Sequence, residues 1–368
     1  MVKAIDGKEA KMVHYILPSV QGVLKLERHC PHCGCPNGRI HSAVHDRRIS
    51  DLKVSSVPQR RMSCPRCGNT WTLRPEGITA GCHRSRRLIG IGVVLYMFGL
   101  SYRSVQQFLP LLDCRGSKSS IERDVTDAGQ RAMVLHRQAP RMRVRILGVD
   151  GTGAAMAGKD AGLLFFVGLG PGGGLIGVEP IHEEETDKVR RHVLRVMAEV
   201  GAGELRTDEH SVYQGIVDDP RTHRLCLTHW RKSKGKRAHD LLQQAAAEDC
   251  PLEAQAMKEL LELLRKKPRS PTVPEELERL GRRYINARRG LPGKANQLLQ
   301  HIERTWEKVS DDSQDPTNNA TERVIGLRFK YRAKTMRGFK SMAKVLVHPL
   351  LADYLRGQAG LCDLRKVI

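Results

Sequence analysis

The chain has 368 residues, 40% of them apolar, which is enough for two or more packed domains and too apolar for wholesale disorder. Aromatic residues are only 4%, which disfavours base-stacking sheets of the RNA-binding kind, and the longest apolar stretch, residues 88–100, is too short to span a bilayer. Lys and Arg number 62 against 40 acids, a net charge of +22, and such a field attracts polyanions, nucleic acid foremost, with an acidic protein partner as the alternative.

The charge is uneven: residues 1–145 carry 25 basic and 10 acidic side chains, a net +15, and the remainder carries +7. The opening residues hold no apolar signal core, so no export is expected, and thiols in a reducing compartment read as metal ligands. Two matched strings stand early, Cys30-Pro-His-Cys33-Gly and Cys64-Pro-Arg-Cys67-Gly. Two residues between thiolates let one turn aim both sulfurs at one ion, and two such turns close a tetrahedral structural Zn2+ site. A redox dithiol pair fits two matched turns poorly. Cys35, His32 and Cys82 are alternative ligands. Residues 34–63, with Arg39, Ile40, Val54, Val57, Arg60 and Arg61, suit short strands, so residues 1–82 read as a zinc ribbon.

Residues 83–140 follow as a helical module. Two helices are expected on either side of Gly99-Leu100-Ser101, with Ser101 capping the second over 102–109. Ser119 or Ser120 is a cap for a third. A short helix after a tight turn is the helix-turn-helix pattern, in which Lys118, Ser119 and Arg123 would face DNA. Arg84, Arg86 and Arg87 are either phosphate clamps or an ordinary solvated face.

Residues 143–150 read as a strand ending in Asp150, with 152–156 as its continuation; 161–169 read as a second strand and 175–181 as a third, the glycine-rich 170–174 turning between the last two. A helix over 183–200 would place Glu183, Glu184 and Glu185 at its dipole-favoured end, which accounts for them without catalysis. Residues 204–207 form a fourth strand before Asp208, then a helix, then a fifth strand within 223–230 that holds Cys226 and His229. The order matches an α/β fold of the RNase H-like kind, a mixed five-stranded sheet with helices. Residues 231–314 read as a helical insertion, with helices over 238–249, 252–266, 274–289 and 294–309, punctuated by Pro268, Pro271, Pro274 and Pro292; Leu260, Leu261, Leu263 and Leu264 recur at packing spacing.

The stretch from Asp315 to Ser341, with its Asn318-Asn319-x-x-Glu322-Arg323 core, resembles the third-acid helix of the DDE transposases of bacterial insertion sequences. The resemblance covers roughly residues 140–350, and the ribbon and helical module fit the same layout. It implies that Asp150, Asp208 and Glu322 are catalytic and hold two Mg2+ (or Mn2+) ions within a core made of residues 141–230 and 315–368. It further implies cleavage and strand transfer of double-stranded DNA, both element ends and target, by a homodimer or higher oligomer, with no membrane association and a cytoplasmic, nucleoid-associated setting. Cys226-Leu-Thr-His229 resembles a Cys-x-x-His element of some of these enzymes; a supporting role, a core cysteine beside a water-ordering histidine, and zinc binding all stay open. Arg323, Arg328, Lys330, Arg332 and Lys334 would track the DNA backbone.

The pattern departs from the family where many relatives have a basic residue seven positions after the Glu: Phe329 stands here, flanked by Arg328 and Lys330. Singly, Asp150 is also a turn former, Asp208 a helix cap and Glu322 a surface acid. Asp160, Glu209 and Asp219 compete for the first two places, and Glu303 and Glu307 for the third. A sequence-specific DNA-binding regulator or transposase remnant, and a structure-selective nuclease, are the rival functions.

Overall fold

A computed structural model describes residues 13–217, 219, 222–266, 272–285, 293–309, 318–336, 338–357 and 360–368. The chain divides into two compact units, residues 1–139 with 328–368, and residues 140–327. The division cuts across the segments expected from sequence, because the stretch after 327 packs with the front of the chain.

The first unit starts with a short strand, β1 (His14–Ile16). The ribbon follows as β2 (Arg39–Ile40), β3 (His45–Arg48), β4 (Ser56–Ser63) and β5 (Thr70–Leu73). β4 is central and pairs antiparallel with all three others. Along β4, Val57 and Gln59 are buried on one face and Met62 on the other, while Arg61 is exposed. Three helices come next: α1 (Arg86–Met97), α2 (Tyr102–Phe108) and α3 (Lys118–Gln138). Ser85 and Ser101 cap the first two by accepting from the amides of Leu88 and Ser104. Ser117, not Ser119 or Ser120, caps α3: its hydroxyl accepts from the Ser120 amide at 3.2 Å. At 21 residues α3 is also longer than the short third helix expected. Its length buries Ile121, Val125, Ala128 and Ala132 along one side in a core with Leu88, Val93 and Val105.

The second unit is built on β6 (Ile146–Met156), β7 (Lys159–Leu169) and β8 (Leu175–Glu179), an antiparallel meander, followed by α4 (Thr186–Val200), β9 (Glu204–Thr207) and β10 (His223–Leu225). β6 runs through Asp150 without a break. β9 lies parallel to β6 and β10 parallel to β9, so the sheet order is β10-β9-β6-β7-β8. The 170–174 turn is a hairpin as expected: Gly170 and Gly172 have φ of +91° and +75°, and the Gly168 amide donates to the Gly174 carbonyl at 2.9 Å. Leu147, Val149, Leu164 and Phe166 pack against Val189 and Val193 of α4. After Asp208 the expected helix is a single turn, Ser211–Tyr213.

The helical part comprises α5 (Leu227–Ala247), α6 (Pro251–Arg265), α7 (Thr272–Leu280), α8 (Gly293–Val309) and α9 (Asn319–Ile325). α5 starts 11 residues before the expected helix and takes in His229, which the sequence places on a strand. The reason is the buried indole of Trp230, which packs with Leu241, Leu260, Leu298 and Ile302 and donates from Nε1 to Thr305 Oγ1 at 2.9 Å. Leu260, Leu263 and Leu264 are buried there as their spacing requires. Pro268, Pro271 and Pro292 lie outside the described residues.

Residues 328–368 complete the first unit with α10 (Tyr331–Ala333), α11 (Met342–Leu355) and β11 (Leu361–Asp363). β11 pairs parallel with β1, and Leu351, Leu355, Leu364 and Val367 close the core over α1 and α3. A Cβ on Gly129 of α3 would stand 2.8 Å from the Val347 Cβ of α11, so the close approach of these two helices requires glycine. Among the described residues no helix is long and apolar enough to cross a membrane.

Candidate functional site

The ribbon brings Cys30, Cys33, Cys64 and Cys67 together, their sulfurs within 4.8 Å of one another. The two turns are alike. The amides of Gly34 and Gly68 donate to the carbonyls of Cys30 and Cys64, and both glycines have φ near +70°. The Cys30–Cys67 and Cys33–Cys64 sulfur separations are 3.7 and 3.6 Å. Four sulfurs about 2.3 Å from a tetrahedral zinc would stand about 3.8 Å apart, so the cluster fits a structural zinc ion. Cys35, His32 and Cys82 stand outside this cluster.

In the second unit, Asp150 sits midway along the central strand and Asp208 follows directly on its parallel neighbour β9. Asp208 accepts from the His210 amide at 3.0 Å, so it closes a turn and does not cap a helix. Tyr213 follows on the next turn and is fully buried. Burial raises that phenol well above its usual value, and the charges of Glu183, Asp208 and Asp150 push the same way. The hydroxyl donates to the Glu183 carboxylate at 2.7 Å. That carboxyl also lies where a Cβ on Gly151 would be, 2.2 Å from the carboxyl carbon, so Glu183 occupies the face of β6 opposite Asp150. Glu183 stands ahead of α4, which begins at Thr186, and the helix-dipole reading of this residue is therefore corrected. Its only signal in the sequence is the glycine beside Asp150.

Glu322 is the fourth residue after the α9 cap, Asn318. Asn318 is fully buried and holds three partners: its side-chain amide donates to the Val149 carbonyl at 3.0 Å, its backbone amide donates to Cys226 Sγ at 3.2 Å, and its side-chain carbonyl oxygen accepts from the Thr321 hydroxyl. A Cβ on Gly148 would strike both Asn318 and Thr321. Gly148 and Asp150 share a strand face, so α9 is seated on the Asp150 face of the sheet. Glu322 Oε1 itself lies 3.4 Å from His229 Nε2, and Cys226, His229 and Glu322 offer ligand atoms all within 4.8 Å of one another. Cys226 is the N-cap of α5 and His229 stands three residues on, so both project from the helix start to one side.

The competing acids have other work. Glu209 pairs with Lys234 and His301 and ties the strand end to the helical part. Asp160 pairs at 3.9 Å with His182. Glu303 and Glu307 are exposed on α8.

The basic residues divide. Lys118, Ser119, Arg123, Arg323, Lys330 and Lys334 are exposed. Arg332 is not a surface cation: it is 4% exposed, donates to the Gly99 and Leu100 carbonyls, and stacks 4.2 Å over the Tyr96 ring. Arg328 pairs with Asp353 at 2.7 Å. Arg84 and Arg87 pair with Asp124 and Asp51, and Arg86 donates to the Ile368 carbonyl, so these three hold the unit together and form no phosphate clamp. Phe329 is buried and stacks on Phe339, which explains why no basic residue stands at that position. Residues 315–317 and Arg337 of the family-like stretch lie outside the described residues. The chain matches no protein-family model, and no curated protein matches it.

Proposed function

We propose that the chain is a metal-dependent DNA strand-transfer enzyme of the DDE transposase type. The observation that carries the reading is the placement of Asp150 on the central strand and Asp208 at the end of its parallel neighbour, with the helix bearing Glu322 fastened by Asn318 to the Asp150 face of that strand. The sheet order supports it: a meander of three strands, a parallel fourth strand on the far side of the first and a fifth outside that is the arrangement of ribonuclease-H-like cores.

Carboxylates brought to one site repel one another, and hard divalent cations relieve that repulsion. Asp150 and Asp208 would hold Mg2+ (or Mn2+) with help from Glu322; bound ions would supply an activated water and stabilise the leaving oxygen of a phosphodiester. Tyr213 stays protonated across the working range and holds Glu183 in place. The exposed residues Lys118, Ser119, Arg123, Arg323, Lys330 and Lys334 suit contacts to the DNA backbone. The tetracysteine cluster would hold structural Zn2+ and give the ribbon a fold that so small a module lacks alone. Joining two ends to a target requires at least two copies of the chain.

The test incubates the purified chain with terminal-repeat DNA, a target plasmid and Mg2+. The wild type nicks and joins strands; Asp150→Asn and Asp208→Asn each lose at least 100-fold of both while still binding the repeats. Cutting that survives in the double variant refutes the assignment. Cutting without joining makes the protein a nuclease, and binding without cutting makes it a regulator.

A further inference from the structure

We infer that Cys226, His229 and Glu322 form a second transition-metal site, for a borderline-soft divalent cation of the zinc class, distinct from the ribbon cluster. The three donors come from the start of α5 and the start of α9, two helices joined here by the Asn318 amide on Cys226 Sγ. Two ligands bound at about 2.0–2.1 Å to one tetrahedral ion stand about 3.3 Å apart. His229 Nε2 and Glu322 Oε1 are 3.4 Å apart, and the Cys226 sulfur lies within the same 4.8 Å sphere.

The polar bookkeeping points the same way. Glu322 Oε1 and His229 Nδ1 are both sealed from solvent, and neither has a hydrogen-bond partner among the described residues. Buried carboxylate oxygens are almost always satisfied, and a cation seated between Glu322 Oε1, His229 Nε2 and the Cys226 sulfur would satisfy this one. A thiol–imidazole–carboxylate set selects zinc-like ions over Mg2+, which takes oxygen ligands. Three protein ligands leave the fourth position for water.

The inference meets the proposed function only in sharing Glu322: an ion on Oε1 fixes that carboxylate at the head of α9 and leaves its other oxygen for the hard-ion centre.

The full chain, stripped of metal, is titrated with Co2+ in the absence of DNA and Mg2+. Two equivalents are expected. One has the spectrum of four thiolates. The other has one thiolate with nitrogen and oxygen ligands by cobalt X-ray absorption. Cys226→Ser and His229→Gln each lower the count from two to one and leave the four-thiolate spectrum in place. Cys226 is buried and its variant can fail to fold, but His229 is 37% exposed at the side chain, so His229→Gln gives an independent reading. A wild type that stops at one equivalent overturns the site. So does a second equivalent with no sulfur ligand, or a count of two kept in His229→Gln. Because the ion is counted without DNA, a wild type that cuts and joins DNA yet binds one equivalent overturns this site alone. One that binds two equivalents and cuts nothing supports the site and refutes the strand-transfer reading.

Discussion

His348 makes the first unit sensitive to acid. It is 4% exposed, edge-on to Tyr96 at 6.2 Å and to Phe339 at 5.7 Å. Burial, and after it the charge of Arg332, depresses the imidazole to about 3. A free histidine titrates near 6.5. The unfolded chain therefore binds a proton that the folded chain refuses, and stability is full above pH 6.5 and falls as pH drops from 6.5 towards 3. At pH 5 the unfolded imidazole is almost wholly protonated and the buried one is neutral, a difference of roughly 2 kcal/mol. His348→Leu removes the titration and keeps an apolar side chain of similar reach. The assay is hydrogen exchange of the α11 and α3 amides over a urea series at pH 7 and pH 5, in wild type and variant. The wild type should lose roughly 2 kcal/mol more than the variant between the two pH values. Equal losses refute the reasoning, as does a His348 resonance that titrates near pH 6.5.

Three further outcomes follow from named side chains. Asn318→Ala should destabilise the second unit by about 2–4 kcal/mol, because it removes hydrogen bonds at a fully buried position and orphans the Val149 carbonyl; urea unfolding followed by Trp230 and Trp306 fluorescence in a Trp71→Phe background measures it, and a cost under about 0.5 kcal/mol contradicts the role given to this residue. Lys330→Ala with Lys334→Ala should weaken DNA binding and reduce the salt slope by about 0.9 for each phosphate no longer neutralised, whereas Arg332→Met should lower the melting temperature and leave the slope unchanged. Cys64→Ser should cost the chain one zinc by elemental analysis and open the ribbon to protease while the second unit keeps its resistance; a ribbon that stays protected without zinc shows that the ion is dispensable to it.

What the sequence disclosed was local. The paired Cys-x-x-Cys strings named all four cysteines of the ribbon cluster, because each turn is complete within five residues. The meander and the 170–174 hairpin were equally legible, since strand alternation and glycine turns are short-range signals. The start of α5 was misplaced because β10 is three residues long and runs straight into Leu227, so no period separates strand from helix there. Glu183 was hidden for another reason: three acids ahead of a helix have a sufficient local explanation, and only the fold sets Gly151 against that carboxyl. Arg332 lies in a run of cations, and nothing in the run shows that one of them is buried over Tyr96. The pairing of His14 with Leu361 spans nearly the whole chain and leaves no local trace.

The route of the backbone has a cost during synthesis. About 190 residues separate the front of the first unit from the segment that completes it. At elongation rates of about 5–20 residues per second, α1 and α3 must wait roughly 10–40 s on the ribosome before α11 and β11 emerge. Through that interval Leu88, Ile121 and Val125 face water with their covering partners still unmade. The nascent chain is then a natural client for chaperones that shield apolar helices, and a stop codon anywhere before α11 strands the front of the protein without a finished interior.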